Sequence, residues 1–301
     1  MATLGATQHM ARFERLEIPV AGGNLHVGSW GEGEVSVLAL HGLTLNHAEF
    51  HLLGESLAGS SRIVAPDLRG RGGSAYLAAP YGLEAHVQDI AAVLRHLARA
   101  PVILVGHSWG AVLALAVAHS HPDLVRSIFM VDGGLPPTTG RASDQSTDRA
   151  SQRVLARLNS NFASVDAYLD IWRSQPGLGR HWNEHIERAF ATDLAGTAPS
   201  LHCSLKAEAF MADLSSTYVQ GNPAERAMLE LRHRATLIRA ARNMADEEQP
   251  QYSDAVAREW CNRVVSLHDR LVLDENHYTI LLGETGAKHI ADLIREELHR
   301  N

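Results

Sequence analysis

From Val102 the chain reads Val-Ile-Leu-Val-Gly-His-Ser-Trp-Gly to Gly110, then runs through an unbroken apolar stretch from Ala111 to Ala118. A short β-branched run bounded by glycine predicts a buried strand, and the apolar stretch after it predicts a buried helix. Between them lies Gly106-His107-Ser108-Trp109-Gly110, the only G-x-S-x-G pentapeptide in the chain. A serine on so tight a strand-to-helix turn is held in a strained backbone conformation. Residues without side chains two positions either side let the two limbs approach closely. The turn thrusts the Ser108 hydroxyl outward and aims a helix N-terminus at it, where free N–H groups and the helix dipole favour negative charge. The same pentapeptide also suits a glycine-rich turn with a capping serine; the strand before it and the helix after it favour a nucleophile.

Short apolar runs recur around this turn. Arg12 to Val20 and Leu25 to Trp30 alternate as an opening hairpin, and Val35 to Leu40, Arg62 to Ala65, Val102 to Val105 and Arg126 to Val131 follow as strands. Helical patterns lie between them over Asn46 to Leu57, Leu83 to Arg99 and Ser108 to His119. Strands alternating with helices predict a mostly parallel sheet covered on both faces. After Val131 a polar stretch to Arg149 reads as a linker or mobile loop. From Ser151 to Arg234 the pattern is helical, with scattered aromatics: Phe162, Tyr168, Trp172, Trp182, Phe190, Phe210 and Tyr218. Sheet strands resume at Thr236 to Ala240 and Arg270 to Leu273, and an amphipathic helix over Thr285 to His299 closes the chain.

Composition narrows the partners. With 27 basic and 34 acidic residues the net charge is −7, the wrong sign for holding a phosphate backbone. No basic run marks an anionic membrane surface, and the longest apolar run falls far short of the roughly 20 residues that span a bilayer. The first twenty residues lack the apolar core and small-residue cleavage site of a signal peptide. Cys203 and Cys261 cannot make a disulfide framework. These features point to a cytoplasmic protein acting on a small molecule, with no nucleic-acid or membrane partner.

Three further motifs carry a resemblance. His41-Gly42-Leu43-Thr44 follows the third strand, Asp67-Leu68-Arg69-Gly70-Arg71-Gly72-Gly73-Ser74 follows the fourth, and Asn276-His277-Tyr278 follows the last. Together with the Ser108 turn, and in this order, they resemble the α/β-hydrolase fold superfamily over most of the chain. The resemblance implies an eight-stranded, mostly parallel sheet and a helical cap inserted after the sixth strand. Residues 1–135 and 235–301 would then form the core and 136–234 the cap. It also implies a catalytic triad. Ser108 is the nucleophile, and His277, placed after the last strand, is the base that a neutral serine needs. The acid belongs after the seventh strand, where Asp246 is the choice, giving the chain order Ser108, Asp246, His277. Its loop is longer than the family's usual turn, which keeps Glu247 in play, and Asp132 at the end of the sixth strand is a second candidate. Backbone N–H groups of Trp109 and Leu43 would form the oxyanion hole, with His41 shaping the Leu43 loop and His107 supporting the turn.

No cofactor or metal is expected. The i, i+4 pairs His47/His51 and His181/His185 read as solvated helix faces rather than ligands, and no glycine-rich stretch has the strand, turn and lysine of a nucleotide loop. The resulting expectation is a carboxylic ester hydrolase-like enzyme. It would cleave an ester, thioester or lactone of a small, largely apolar substrate through an acyl-enzyme. A C–C bond hydrolase, lyase or cofactor-free peroxidase using the same triad is the alternative, and a non-catalytic ligand-binding module a third. Among the cap arginines, Arg153, Arg157, Arg173 and Arg180 are candidates to meet a substrate carboxylate.

Overall fold

The computed structural model describes residues 12–136, 145–217 and 223–300. Eight strands form one sheet: β1 (Phe13–Val20), β2 (Gly23–Trp30), β3 (Val35–Leu40), β4 (Arg62–Pro66), β5 (Val102–His107), β6 (Val125–Val131), β7 (Arg234–Ala240) and β8 (Leu267–Val272). Their order is β1-β2-β4-β3-β5-β6-β7-β8. The β1–β2 and β2–β4 pairs are antiparallel and all the others parallel.

Parallel strands need crossover connections, and these put helices on the sheet's two faces, so the central strands are apolar on both sides. Alternation along each strand sorts the residues. Leu38, Leu40, Leu104, Ile128 and Met130 face α2 (Leu83–Leu97) and α3 (Trp109–Ser120). Val37, Ala39, Ile103, Val105, Phe129 and Val131 belong to a second core, with α1 (His51–Leu57) and the C-terminal helix. Helix α3 is buried from Trp109 to Ala118, which explains its all-round apolar sequence. Since β5 lies between β3 and β6, the carboxyl ends of three adjacent strands deliver the His41 loop, Ser108 and Asp132 to one edge of the sheet.

The connection from β6 to β7 carries α4 (Gln145–Leu158), α5 (Val165–Arg173), α6 (Glu184–Ala191), α7 (Ala207–Thr217) and α8 (Pro223–Leu229). It also holds a small antiparallel sheet in the order Asn161–Phe162, Leu201–Cys203, Leu194–Ala195, which the helical reading of this segment missed. Two- and three-residue strands are too short for an alternation to register. The aromatics of this insert largely pack against one another: Phe162 meets Tyr168 edge-on at 4.9 Å, and Trp172 stacks on Phe190 at 4.1 Å. Residues 137–144, within the polar stretch, and Tyr218 lie outside the described residues.

The core closes with α9 (Asp254–Arg263) and α10 (Glu284–Leu298). Helix α9, absent from the sequence reading, shows only Ala257 and Trp260 fully to the core. Strand β8 starts three residues before its predicted position, because the polar His268 and Asp269 break the apolar pattern. No helix among the described residues is long and apolar enough to cross a membrane.

Candidate active site

Ser108 sits between β5 and α3 with φ 53° and ψ −118°. Side chains at the flanking glycines would destroy the turn: a Cβ on Gly106 would lie 2.4 Å from the Gly110 carbonyl oxygen, and one on Gly110 would lie 2.0 Å from that of Leu40. The Ser108 N–H donates to the Val131 carbonyl at 2.9 Å, which binds the turn to the end of β6. The next residue along β6 is Asp132. It is fully buried and also has positive φ, 42°.

Asp132, not Asp246, is the carboxylate that meets His277. Asp132 Oδ2 accepts from His277 Nδ1 at 2.7 Å, while Oδ1 accepts from the Ala240 N–H at 3.2 Å. The Asp132 N–H donates to the Ile238 carbonyl at 2.7 Å, so the residue is wedged between β6 and β7. An Nδ1 proton committed to Asp132 leaves His277 Nε2 as the basic nitrogen.

Asp246 lies within reach of a different set. Its Oδ1 accepts from Arg242 Nε at 2.8 Å and Asn276 Nδ2 at 3.2 Å, and its Oδ2 meets His181 Nε2 at 3.1 Å and the Arg180 guanidinium. Burial opposes its charge, but the bonds from His181, Asn276 and Arg242 and the charge of Arg180 hold the carboxyl below its ordinary range. It therefore joins the insert (Arg180, His181) to the loop that carries His277. Glu247 is exposed and bonded to Asn243 at 2.8 Å. The physical reason for the correction is local: the long loop after β7 folds back through Arg242 onto Asp246, and β6 ends closer to His277.

A second buried pair lies behind the turn. His107 Nε2 donates to the His277 carbonyl at 2.9 Å, its ring is 4.7 Å from that of His277, and its Nδ1 meets Glu49 Oε1 at 2.6 Å. Glu49 Oε2 accepts from the Gly42 N–H at 2.9 Å. Both are buried. Burial disfavours each charge, yet each partner overcomes it, lowering the Glu49 carboxyl and raising the His107 imidazole. The result is an ion pair linking the Leu43 loop to the His277 loop. Sequence reasoning found His107 but missed Glu49; its only signal was an acid on the otherwise buried first turn around Asn46 to Phe50.

His41 fixes the candidate oxyanion loop. Its Nε2 accepts from the Leu68 N–H at 3.1 Å, so its proton is on Nδ1, which donates to the Gly42 carbonyl at 2.7 Å. In a trans peptide the carbonyl and the following N–H point opposite ways. Drawing the Gly42 carbonyl to His41 therefore points the Leu43 N–H away from the His41 ring, and it has no acceptor among the described residues. Burial and the Arg71 charge lower the His41 pKa to about 4, so the ring is neutral at physiological pH. Arg71 Nε holds the Leu43 carbonyl at 2.9 Å and is itself held by Asp213 of α7 at 2.5 Å. Trp109, whose N–H is the other candidate donor, occupies the first turn of α3.

The His47/His51 pair behaves differently from a solvated helix face. His47 is buried, and its Nδ1 and backbone N–H both go to Asp67 Oδ1, at 2.8 and 2.7 Å. His26, His47 and Asp67 bring potential ligand atoms within 4.8 Å of one another. Asp67, however, is already spent on His47 and on the Gly73 N–H, and His26 Nδ1 on Glu17. His51 accepts from Trp30 Nε1 at 3.1 Å and meets Glu55 at 2.9 Å.

Comparison with known proteins places the fold. The profile of the alpha/beta hydrolase fold family matches residues 35–230. Lipase LipV of Mycobacterium tuberculosis is 30% identical over 217 residues, covering 63% of this chain and 82% of that protein. The 2-(acetamidomethylene)succinate hydrolase of Mesorhizobium japonicum is 36% identical over 147 residues, 48% of this chain and 51% of that one. Among solved structures, an E-2-(acetamidomethylene)succinate hydrolase superposes with a TM-score of 0.76 at 24% identity, covering 94% of this chain and 99% of its own. A thioesterase domain from the curacin biosynthetic pathway gives 0.72 at 21%, with 94% and 99% coverage; at these identities both likenesses are of fold alone. With the sheet order, the positive-φ serine and a family profile matching most of its length, this chain belongs to the α/β hydrolase fold family.

Proposed function

We propose that the protein is a serine hydrolase that cleaves an ester-like carbonyl bond through an acyl-enzyme on Ser108, with His277 as the base and Asp132 as the residue that orients it. The observation that carries this reading is the 2.7 Å bond between the buried Asp132 carboxylate and His277 Nδ1, one residue beyond the Val131 carbonyl that holds the Ser108 N–H. As Ser108 Oγ attacks the carbonyl carbon, its proton passes to His277 Nε2. The imidazolium so formed is stabilised by Asp132. The carbonyl oxygen becomes an oxyanion stabilised by the N–H groups of Leu43 and Trp109. Collapse expels the leaving group, which takes the proton from His277. Water, deprotonated by the same nitrogen, then releases the acid and restores Ser108.

A hydroxyl nucleophile supports acyl rather than alkyl chemistry. The fluorophosphonate reaction tests the reading without a known substrate: wild type labels at Ser108, and Ser108→Ala and His277→Ala do not. A folded wild type that neither labels nor turns over a simple ester would replace this reading with a ligand-binding role.

A further inference from the structure

We propose that Arg71 is a positioning residue for the Leu43 oxyanion donor and that the insert sets it, so that docking of the segment from Ser204 to Asp213 completes the oxyanion hole. This rests on the serine hydrolase reading. The arginine that reaches the Leu43 loop comes from the core, after β4, and is not among the four of the insert expected to meet a carboxylate. Of those, Arg173 is occupied by Asp166, Asp170 and Glu187 and Arg180 by Asp246, Arg157 stacks on Trp172, and Arg153 is exposed.

Leu43 lies in a turn closed by the Leu45 N–H on the Gly42 carbonyl at 3.2 Å. A Cβ on Gly42 would lie 3.6 Å from Ser108 Cβ, which sets this turn beside the nucleophile. Two soft dihedrals at Leu43 separate the peptide groups before and after it. The peptide before, which carries the Leu43 N–H, is held by His41 and by the turn bond. The peptide after is held at its carbonyl by Arg71 Nε at 2.9 Å, the only donor to that oxygen among the described residues. With both flanks anchored, the Leu43 N–H keeps one direction; without Arg71 the outer half of the turn is free to rock.

Arg71 is fully buried, and the insert decides where it points. Its Nη1 donates to the Arg69 carbonyl at 3.0 Å and its Nη2 to Asp213 Oδ2 at 2.5 Å, so a planar fork held at both tips aims its Nε at Leu43. Asp213 is carried on α7, and the insert grips the loop on either side of Arg71. The Gly72 N–H donates to Ser204 Oγ at 3.0 Å, the Lys206 N–H donates to the Gly70 carbonyl at 3.0 Å, and a Cβ on Gly70 would lie 2.6 Å from that of Ala209. Asp213 reaches the second donor residue as well. Its Oδ1 meets His86 Nε2 at 3.0 Å, and the His86 ring and the Arg71 guanidinium carbon lie 5.4 and 5.9 Å from the Trp109 ring. Among the described residues Asp213 is the one acid in ion-pair contact with Arg71, and a buried guanidinium needs such a partner. A docked insert is therefore the condition under which Arg71 stays buried and extended onto Leu43.

The test compares p-nitrophenyl butyrate with its thiono analogue, in which sulfur replaces the carbonyl oxygen, on wild type, Arg71→Lys and Asp213→Asn. Sulfur accepts hydrogen bonds weakly, so only the oxygen ester gains fully from the hole. The ratio of the two kcat/KM values reports on the donors, and a general weakening of the fold leaves it unmoved. Arg71→Lys keeps a charge for Asp213 but loses the fork. In Asp213→Asn an amide oxygen kept for the Gly82 N–H turns the NH2 group on Arg71. Each variant is expected to lower the oxygen-to-sulfur ratio by about 10-fold, through kcat with KM little changed, a part of the roughly 10²- to 10³-fold that a whole donor is worth. An unchanged ratio in folded Arg71→Lys overturns the positioning role, and a fall there with none in Asp213→Asn overturns the link to the insert. Should Arg71→Lys fail to fold, Asp213→Asn decides, an unchanged ratio again overturning the inference. Fluorophosphonate labelling of wild type reports separately: an unlabelled Ser108 sinks the serine hydrolase reading, whereas a labelled Ser108 with unchanged ratios in the variants sinks only the role of Arg71.

Discussion

Asp132 and His277 lie 145 residues apart in the chain and meet through a 2.7 Å bond at the carboxyl end of the sixth strand. Because the same carboxylate also accepts the Ala240 N–H, its orientation is set by the sheet rather than by a loop. A group fixed on regular structure keeps a reacting imidazole in one tautomer with little freedom to stray.

Asp132→Asn is expected to lower kcat by about 10³- to 10⁴-fold, since the amide either stabilises the wrong tautomer or leaves the imidazolium uncompensated. Asp246→Asn retains activity within about tenfold, because its contacts are with Arg180, His181, Arg242 and Asn276. Fluorophosphonate labelling and simple ester turnover on both variants decide the assignment. Collapse in Asp246→Asn with labelling intact in Asp132→Asn would return the acid to the loop after β7.

The two aspartates also mark where sequence stops being informative. Ser108 was legible because its turn is local: the glycines, the strand and the helix are contiguous. His277 needed only its place after the last strand. The acid depended on which of two loops approaches His277 in space, and that is a property of strand order and loop path. Asp132-Gly133-Gly134 reads equally well as a turn, and Asp246 stands in the position the chain order favoured. Glu49 and Asp213 were still less accessible, since each acquires meaning only from partners distant in the chain.

The neutral His41 makes a prediction about acid stability. Its folded pKa of about 4 lies below the ordinary 6.5, so between those values the unfolded chain binds a proton that the folded chain refuses. Stability therefore falls as pH drops from 6.5 and levels off below 4, by roughly 3 kcal/mol for this one group. His51, also near 4 but only partly buried, acts in the same direction with a smaller effect. Urea unfolding at pH 7.5, 6.0, 5.0 and 4.5 should show a shallower slope for His41→Asn than for wild type. Identical slopes would mean that His41 is not held neutral. The same variant keeps a donor for the Gly42 carbonyl, but its amide is too short to put an acceptor where Nε2 meets the Leu68 N–H, and a loss of kcat with little change in KM is expected from a loosened Leu43 N–H.

Arg71 joins the insert to the Leu43 loop, bonding the Leu43 carbonyl on one side and Asp213 on the other. Asp213 also accepts from the Gly82 N–H at 2.8 Å and meets His86 Nε2 at 3.0 Å. Asp213→Ala leaves the Arg71 charge buried without that carboxylate, a change expected to cost about 3–5 kcal/mol. Asp213→Asn keeps the shape and one acceptor oxygen, and should cost less. Thermal or urea denaturation of the two variants ranks them, and equal losses would show that the charge, not the shape, of Asp213 holds the arginine.

The Glu49–His107 pair allows a sharper separation of charge from connectivity. In the native network His107 donates from both nitrogens, to Glu49 and to the His277 carbonyl, and so carries a positive charge. Glu49→Gln can reproduce every bond with neutral groups: the amide oxygen accepts from the Gly42 N–H, and the amide nitrogen donates to His107 Nδ1, which then lacks a proton. Its cost is expected to stay below about 1.5 kcal/mol, because no buried donor or acceptor is left unpaired. Glu49→Ala removes the carboxylate and strands both the imidazolium and the Gly42 N–H, at about 3–5 kcal/mol. Nitrogen chemical shifts of His107 at pH 7 provide the second readout, doubly protonated in wild type and singly protonated in Glu49→Gln. A singly protonated His107 in wild type would overturn the ion pair, while equal destabilisation by the two variants would show that the charge itself, rather than the bonds it makes, supports the His277 loop.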